Sequence, residues 1–130
     1  MTSPISTAAH TVLVVDDEAA IVEFIAYSLR QWGYTVISAC SGSDAIDALK
    51  NAATQPTLAI IDIALGGDSG LTLASDLVSK LTKLRILFIS GYVDDMLMID
   101  SLPGETRTAF LQKVFTCEQL QESLAELAQD

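Results

Sequence analysis

The chain has 130 residues, which is enough for one domain with a self-sufficient core. Seventeen acidic and seven basic residues give a formal net charge of −10, which would repel nucleic acid and anionic membranes, so we expect direct binding to neither. No apolar run approaches the ~20 residues that cross a bilayer, and the first ten residues lack a secretory signal pattern, so we expect a cytoplasmic protein.

Strand-like and helix-like segments alternate along the chain after a Ser/Thr/Ala/Pro-rich start at residues 1–10, which we interpret as a flexible tail before a domain at residues 11–130. Short apolar runs predict five strands, at Val12–Val15, Tyr34–Ala39, Leu58–Ile61, Arg85–Ile89 and Thr108–Leu111. Helical spacing of apolar residues predicts five helices, at Glu18–Trp32, Gly42–Lys50, Leu71–Leu81, Asp94–Leu102 and Glu118–Ala128. The glycine-rich Gly66–Gly70 cluster predicts a loop. This alternation predicts a parallel sheet with helices on both faces.

Four of these strands end beside residues that handle phosphate or metal. Asp16 and Asp17 follow the first strand, Asp62 the third and Ser90 the fourth, and Lys113 lies just after the fifth. Because ligands bind outside the carboxyl ends of parallel strands, we expect these side chains to share one pocket. Three carboxylates, one hydroxyl and one ammonium group suit Mg²⁺ binding and transfer of a phosphoryl group to a carboxylate.

Each of these residues also has a purely structural interpretation. Asp16 and Asp17 suit a helix N-terminus, where a carboxylate contributes roughly 0.3–1 kcal/mol. Ser90 before Gly91 suits a turn, and most lysines are solvated. The combination favours a functional site, because three crowded carboxylates need a counter-charge and Lys113, between apolar neighbours, supplies one.

In this order, the residues resemble the receiver domain of two-component response regulators, and the resemblance extends from Thr11 to Ala128. It implies a flavodoxin-like, doubly wound, five-stranded parallel sheet of order 2-1-3-4-5. It also implies that Asp62 is the phosphoacceptor, that Ser90 and Lys113 bind the phosphoryl group, and that Ser90 and Phe110 form the conformational switch.

The same resemblance implies a metal site and a conserved glycine position. Mg²⁺ would be bound by the carboxylates of Asp16, Asp17 and Asp62 and by the backbone carbonyl of Ala64. Asp16 would act largely through water. Gly70 matches the family's glycine eight residues after the acceptor.

By the same resemblance, a histidine kinase or phosphotransfer protein would be the phosphoryl donor. The domain would not be an enzyme toward other substrates, although it would catalyse its own phosphorylation and slow self-dephosphorylation. Output would pass to a protein partner through the fourth helix, fifth strand and fifth helix, or the chain would relay phosphate onward or be part of a longer protein. Met96–Ile99 in the fourth helix are apolar enough for a partner surface, although core packing explains them nearly as well.

Two residues depart from the family pattern, and two others bear on phosphoryl lifetime. Val114 replaces the usual proline after the lysine, and a cis bond at a non-proline residue costs ~2.5–4 kcal/mol, so we expect the bond to be trans in at least one state. Gly66 replaces a common proline and predicts a more flexible loop. The resemblance places Ala64 and Tyr92 where they tune phosphoryl lifetime, with the Tyr92 ring either a partial lid or simply exposed to solvent.

Two other functions share parts of this residue pattern. A receiver-like binding module that acts without phosphorylation is kept open by Val114. A haloacid-dehalogenase-like phosphatase would also use an aspartate nucleophile, but its nucleophile ends the first strand with a second acid two residues later. Here Asp17 interrupts that spacing, and Asp62 would have no role.

Overall fold

The computed structural model describes residues 10–102 and 106–129. The predicted tail, apart from His10, and the Pro103–Gly104 end of the predicted fourth helix lie outside the described residues. The strands are β1 Thr11–Val15, β2 Thr35–Ala39, β3 Leu58–Asp62, β4 Ala64–Leu65, β5 Asp68–Ser69, β6 Arg85–Ser90 and β7 Thr108–Gln112. The α-helices are α1 Ala19–Gln31, α2 Gly42–Lys50, α3 Gly70–Lys80 and α4 Cys117–Ala128, and a 3-10 helix spans Val93–Ser101.

Five parallel strands form the central sheet in the order β2-β1-β3-β6-β7. The predicted order 2-1-3-4-5 is confirmed, because β4 and β5 pair only with each other. β1 and β3 are buried along their whole length, and β6 from Ile86 onward. Continuous apolar runs form these strands because both faces of the sheet are covered.

The sheet separates two hydrophobic layers. Along β1, Val12 and Val14 pack with α1 and α4, whereas Leu13 and Val15 pack with α2 and α3. This division follows from the two-residue side-chain period of a strand. Across the described ranges, no helix is both long and apolar enough to span a bilayer.

The predicted glycine-rich loop is in part a hairpin, which corrects the prediction. Ala64 pairs with Ser69 and Leu65 with Asp68, around a turn in which Gly66 has a φ of +65°. Glycine adopts that conformation at no steric cost, so the turn can be tight enough for strand pairing. Gly70 then begins α3, and the Ser69 side chain caps the helix by accepting from the Leu71 N–H.

The segment that carries the last site residue is fixed at both ends. Lys113 lies between β7 and α4, and its N–H donates to the Ser90 carbonyl at 2.8 Å. Thr116 forms a capping box with Gln119 at the start of α4. At the other end of α4, Arg85 and Arg107 donate to backbone carbonyls of residues 126–129. The start of α4 is therefore fixed close to Lys113, and its end is held at the opposite edge of the sheet.

Candidate functional site

Three aspartates meet at the carboxyl edge of the sheet. One oxygen each from Asp16, Asp17 and Asp62 lies within 4.8 Å of the others. Asp16 and Asp17 directly follow β1, Asp62 is the last residue of β3, and β1 pairs with β3. The rule that neighbouring parallel strands end together therefore predicted this cluster correctly.

Backbone N–H groups hold the two buried carboxylates in place. The Glu18 N–H donates to Asp16 Oδ1 at 2.9 Å, and the Ala64 N–H donates to Asp62 Oδ1 at 2.9 Å. Asp16 and Asp62 are buried, whereas Asp17 is exposed. Each buried carboxylate therefore has one oxygen bound to the main chain and the other directed to its neighbours in the cluster.

Lys113 supplies the ammonium group of this cluster. Its Nζ lies 2.7 Å from Asp62 Oδ2, 2.9 Å from Asp16 Oδ2 and 3.2 Å from Glu18 Oε1. The sequence predicted that apolar neighbours fix the lysine, and this is only partly right. Val114 is 99% exposed, whereas Phe115 packs on Phe24 with 6.5 Å between ring centroids. Carboxylates hold the ammonium group.

Burial and charge act in opposite directions on these groups. Burial lowers the pKa of Lys113, but hydrogen bonds and charge attraction from Asp62 and Asp16 outweigh it, so the pKa is raised above its ordinary value. Burial raises the pKa of Asp16, against the Glu18 N–H and Lys113, which lower it. Lys113 is therefore firmly cationic, while an ionised Asp16 is costly in the absence of a second cation.

The donor set fits a divalent cation. Asp16 Oδ2 is buried, and within the described residues its partner is the Lys113 ammonium group at 2.9 Å. Asp16, Glu18 and Asp62 share this one ammonium group, and Asp17 lies beside them. Crowded, hard oxygen donors with an incompletely balanced charge are what Mg²⁺ binds in proteins.

Ser90 and Phe110 lie on the neighbouring strands β6 and β7, but Ser90 contacts the segment after β6 whereas Phe110 contacts the hydrophobic core. Ser90 ends β6 and is 1% exposed, and its hydroxyl donates to Asp95 Oδ2 at 2.6 Å while accepting from the Tyr92 N–H at 3.0 Å. Phe110 lies opposite Phe88 in the β6–β7 pair and packs, partly buried, on the α2–α3 side of the sheet. The Ser90 hydroxyl is thus engaged with the segment that follows its own strand.

The remaining predicted residues lie at the rim. Ala64 is exposed in β4 next to Asp62, and the Tyr92 side chain is 73% exposed. The Lys113–Val114 peptide bond is cis in this structure, and the expected trans form in at least one state stays a prediction. The sequence rule counts the cost of an isolated cis bond, whereas here the Lys113 N–H and ammonium group are both fixed by long-range contacts.

Two acidic residues at the site were not among those predicted from the sequence. Glu18 reaches Lys113, and its signal was the third position of an Asp-Asp-Glu run at the end of β1. Asp95 binds the Ser90 hydroxyl, and its only signal was an acid five residues after Ser90, across a glycine turn. Neither contact follows from periodicity alone.

Comparisons of the sequence with known proteins identify a family whose name agrees with the one that the sequence pattern resembles. The family model described as the response regulator receiver domain matches residues 12–125. Sensor kinase CckA of Brucella abortus (strain 2308) is 30% identical over 117 residues, which is 90% of this chain and 12% of that kinase. The chain thus spans a small part of this curated relative.

Solved structures agree in fold. A structure of NtrX from Brucella abortus is 28% identical with a TM-score of 0.77, covering 91% of this chain and 26% of that one. The chemotaxis response regulator CheY4 of Vibrio cholerae has a TM-score of 0.79 at 22% identity, covering 91% of this chain and 98% of that one. With its flavodoxin-like sheet and acidic edge, the chain therefore belongs to the response regulator receiver domain family of two-component signalling.

Proposed function

We propose that the domain accepts a phosphoryl group on Asp62 from a histidine kinase or phosphotransfer protein. The observation that carries this proposal is the 2.7 Å contact between Lys113 Nζ and Asp62 Oδ2 within a cluster of aspartates. Receiver domains in general interact with such donors and are signalling modules rather than general enzymes. We propose that the domain acts in the cytoplasm.

In the proposed reaction, an Asp62 carboxylate oxygen attacks the phosphorus of phosphohistidine in line. The phosphorus–nitrogen bond breaks, the histidine nitrogen keeps the electron pair and takes up a proton, and Asp62 becomes an acyl phosphate. Lys113 neutralises charge on the phosphoryl oxygens, and the Ala64 N–H keeps the acceptor carboxylate oriented.

The metal in this proposal is Mg²⁺, which receiver domains bind at their acidic pocket. Asp16, Asp17, Asp62 and the Ala64 carbonyl would hold it. When bound, it supplies positive charge that offsets the crowded carboxylates and the incoming phosphoryl oxygens. Asp17, exposed beside two buried acids, is suited to release and rebind the ion.

Output would follow from a change at Ser90 and Phe110. Ser90 would rotate to donate to the phosphoryl group, and Phe110 would move into the space released. The proposed partner surface comprises the 3-10 helix, β7 and α4. Met96, Leu97 and Met98 are exposed on that helix, by 46%, 75% and 49%, whereas Ile99 packs on the core. The apolar run therefore divides between a surface role and a core role.

The test is acetyl phosphate with Mg²⁺, followed by intact mass and peptide mapping. Wild type should gain one phosphoryl group on Asp62, and Asp62→Asn should gain none. Asp68→Asn, which removes an exposed acid from the same loop, is the matched control and should label as wild type does. Labelling of Asp62→Asn equal to that of wild type would refute the acceptor assignment.

The same experiment decides the alternative of a binding module that acts without phosphorylation. That alternative requires wild type to stay unlabelled with acetyl phosphate and with a phosphorylated donor. A phosphatase would instead release phosphate from small esters steadily, without Asp62.

A further inference from the structure

The Ser90 hydroxyl has a single proton, and that proton is already used in a hydrogen bond to Asp95. A hydroxyl donates one hydrogen bond. Here it is donated to Asp95 Oδ2 at 2.6 Å, and the same oxygen accepts from the Tyr92 N–H at 3.0 Å. Hydrogen bonds between a hydroxyl and a carboxylate are short and strong, and this one lies in that range. Ser90 is 1% exposed, so solvent competes weakly for it.

We propose that Asp95 is a positioning residue that competes with the phosphoryl group for the Ser90 hydroxyl. This inference rests on the proposed phosphorylation of Asp62. Ser90 cannot donate to Asp95 and to a phosphoryl oxygen at the same time, so engagement of the phosphoryl group requires the Ser90–Asp95 hydrogen bond to break. Asp95 thereby holds the domain in its unphosphorylated arrangement.

Asp95 also connects this competition to the output surface. It is the third residue of the 3-10 helix, and its N–H donates to the Tyr92 carbonyl at 3.1 Å. Its neighbours Met96 and Leu97 are exposed. When Ser90 leaves, the Asp95 carboxylate and the Tyr92 N–H lose their partner together, and the start of the helix is released. The hydroxyl–carboxylate bond is therefore the direct link between the acceptor edge and the proposed partner surface.

The sharpest test uses beryllofluoride with Mg²⁺, which occupies an aspartate as a phosphoryl group would, with bound fluorine measured by NMR. Asp95→Ala should bind it more tightly, by about tenfold, because a hydrogen bond to a charged group no longer has to be broken. Asp95→Asn keeps a neutral acceptor and should fall between the two. Asp94→Ala is the matched control, since it removes an exposed acid one residue earlier in the same helix.

A double-mutant cycle separates competition for the hydroxyl from a general effect of charge. In a Ser90→Ala background, Asp95→Ala should not change beryllofluoride affinity, because the donor is gone. An equal gain from Asp94→Ala, or a persistent gain in the Ser90→Ala background, would overturn the proposal. Thermal unfolding of each variant establishes that it is folded.

A second readout needs no ligand. Amide hydrogen exchange at Tyr92 should be faster in Asp95→Ala than in Asp94→Ala, because Ser90 Oγ no longer stays in place to accept from that N–H. Unchanged exchange would contradict the positioning role. If wild type binds beryllofluoride and Asp95→Ala binds it no more tightly, the inference fails while the proposed function stands. If wild type neither binds it nor takes up phosphate, the proposed function fails and takes this inference with it.

Discussion

Lys113 is the residue on which the charge balance of the site depends. Carboxylates from Asp16, Glu18 and Asp62 contact its ammonium group. A fourth carboxylate, from Asp17, lies in the same cluster of aspartates. Removing one partner of a largely buried ion pair leaves uncompensated charge, which costs several kcal/mol when burial is complete. The Lys113 side chain is 16% exposed, so the cost here is smaller.

We expect Lys113→Met to lower the free energy of unfolding by about 2 kcal/mol without Mg²⁺. Added Mg²⁺ should restore more stability to this variant than to wild type, because the ion then supplies the missing charge. Urea unfolding with and without the ion measures both effects. Lys83→Met, an exposed lysine in the loop before β6, should behave as wild type; equal losses from the two variants would contradict the role given to Lys113.

Substitution of Tyr92 tests what sets the lifetime of a phosphoryl group on Asp62. Ala64 offers no polar side-chain atom to orient water, so we expect slow self-hydrolysis, and Tyr92 as a partial lid would slow it further. Tyr92→Ala should then shorten the lifetime of phosphorylated Asp62, measured by phosphate release in Mg²⁺. The side chain is 73% exposed in the present arrangement, so the lid requires the ring to move inward once Ser90 turns. Tyr92→Phe separates the ring from its hydroxyl and should keep the wild-type rate.

At the scale of elements, the junction between the β4–β5 hairpin and α3 depends on one glycine. A Cβ built on Gly70 would lie 2.0 Å from the Asp62 carbonyl oxygen and 2.9 Å from an Ile61 methyl group. The Gly70 N–H also donates to the Ile63 carbonyl at 2.7 Å, so the helix start cannot withdraw without losing that bond. The start of α3 therefore lies directly against the backbone at the end of β3 and leaves no room for a side chain at residue 70.

Gly70→Ala should destabilise the domain by about 3 kcal/mol, near the upper end for overpacking, because the two nearest obstructing atoms belong to the Asp62 main chain and cannot rotate away. It should also slow phosphorylation by displacing Asp62. Gly67→Ala is the control, since no atom lies within 4 Å of a Cβ there. Chemical denaturation of both variants measures the difference, and similar midpoints would contradict the packing argument.

Sequence reasoning succeeded where a residue's place follows from one rule. Apolar runs located the strands, and the meeting of parallel carboxyl ends brought Asp16, Asp17, Asp62 and Lys113 together. It failed where position depends on contacts between distant segments. Glu18 and Lys113, which form an ion pair, lie 95 positions apart in the chain. The cis bond before Val114 follows Lys113, whose N–H and ammonium group are both bound by residues from other strands. The pairing of Ala64 and Leu65 with Ser69 and Asp68 likewise depends on where the chain returns to β3, at Gly70.

At the scale of the whole molecule, metal binding should appear as added stability. A ligand that binds only the folded state at a hundredfold excess over its Kd stabilises by about 2.7 kcal/mol. Mg²⁺ should therefore raise the Tm of wild type in a concentration-dependent way. Asp17→Asn should need more Mg²⁺ for the same rise, while its Tm without metal should be no lower, because one repulsive charge is gone.

Calorimetric titration gives the affinity directly. Asp47→Asn, which removes an exposed carboxylate from α2, is the matched control and should bind Mg²⁺ as wild type does. Equal affinity in Asp17→Asn and wild type would remove Asp17 from the metal site. Loss of affinity in both variants would point to a diffuse effect of the overall negative charge instead.

Because Asp62 and Lys113 lie far apart in the chain, the two partners of this ion pair are synthesised at different times on the ribosome. The acidic cluster comes from the first 62 residues, whereas its ammonium group arrives 51 residues after Asp62. Domains are made from the N-terminus onward, so a growing chain holds three neighbouring aspartates before it holds their cation. Docking of β7 therefore brings in the neutralising charge, and a chain that ends before β7 has three aspartates at this edge of the sheet without the ammonium group that pairs with two of them.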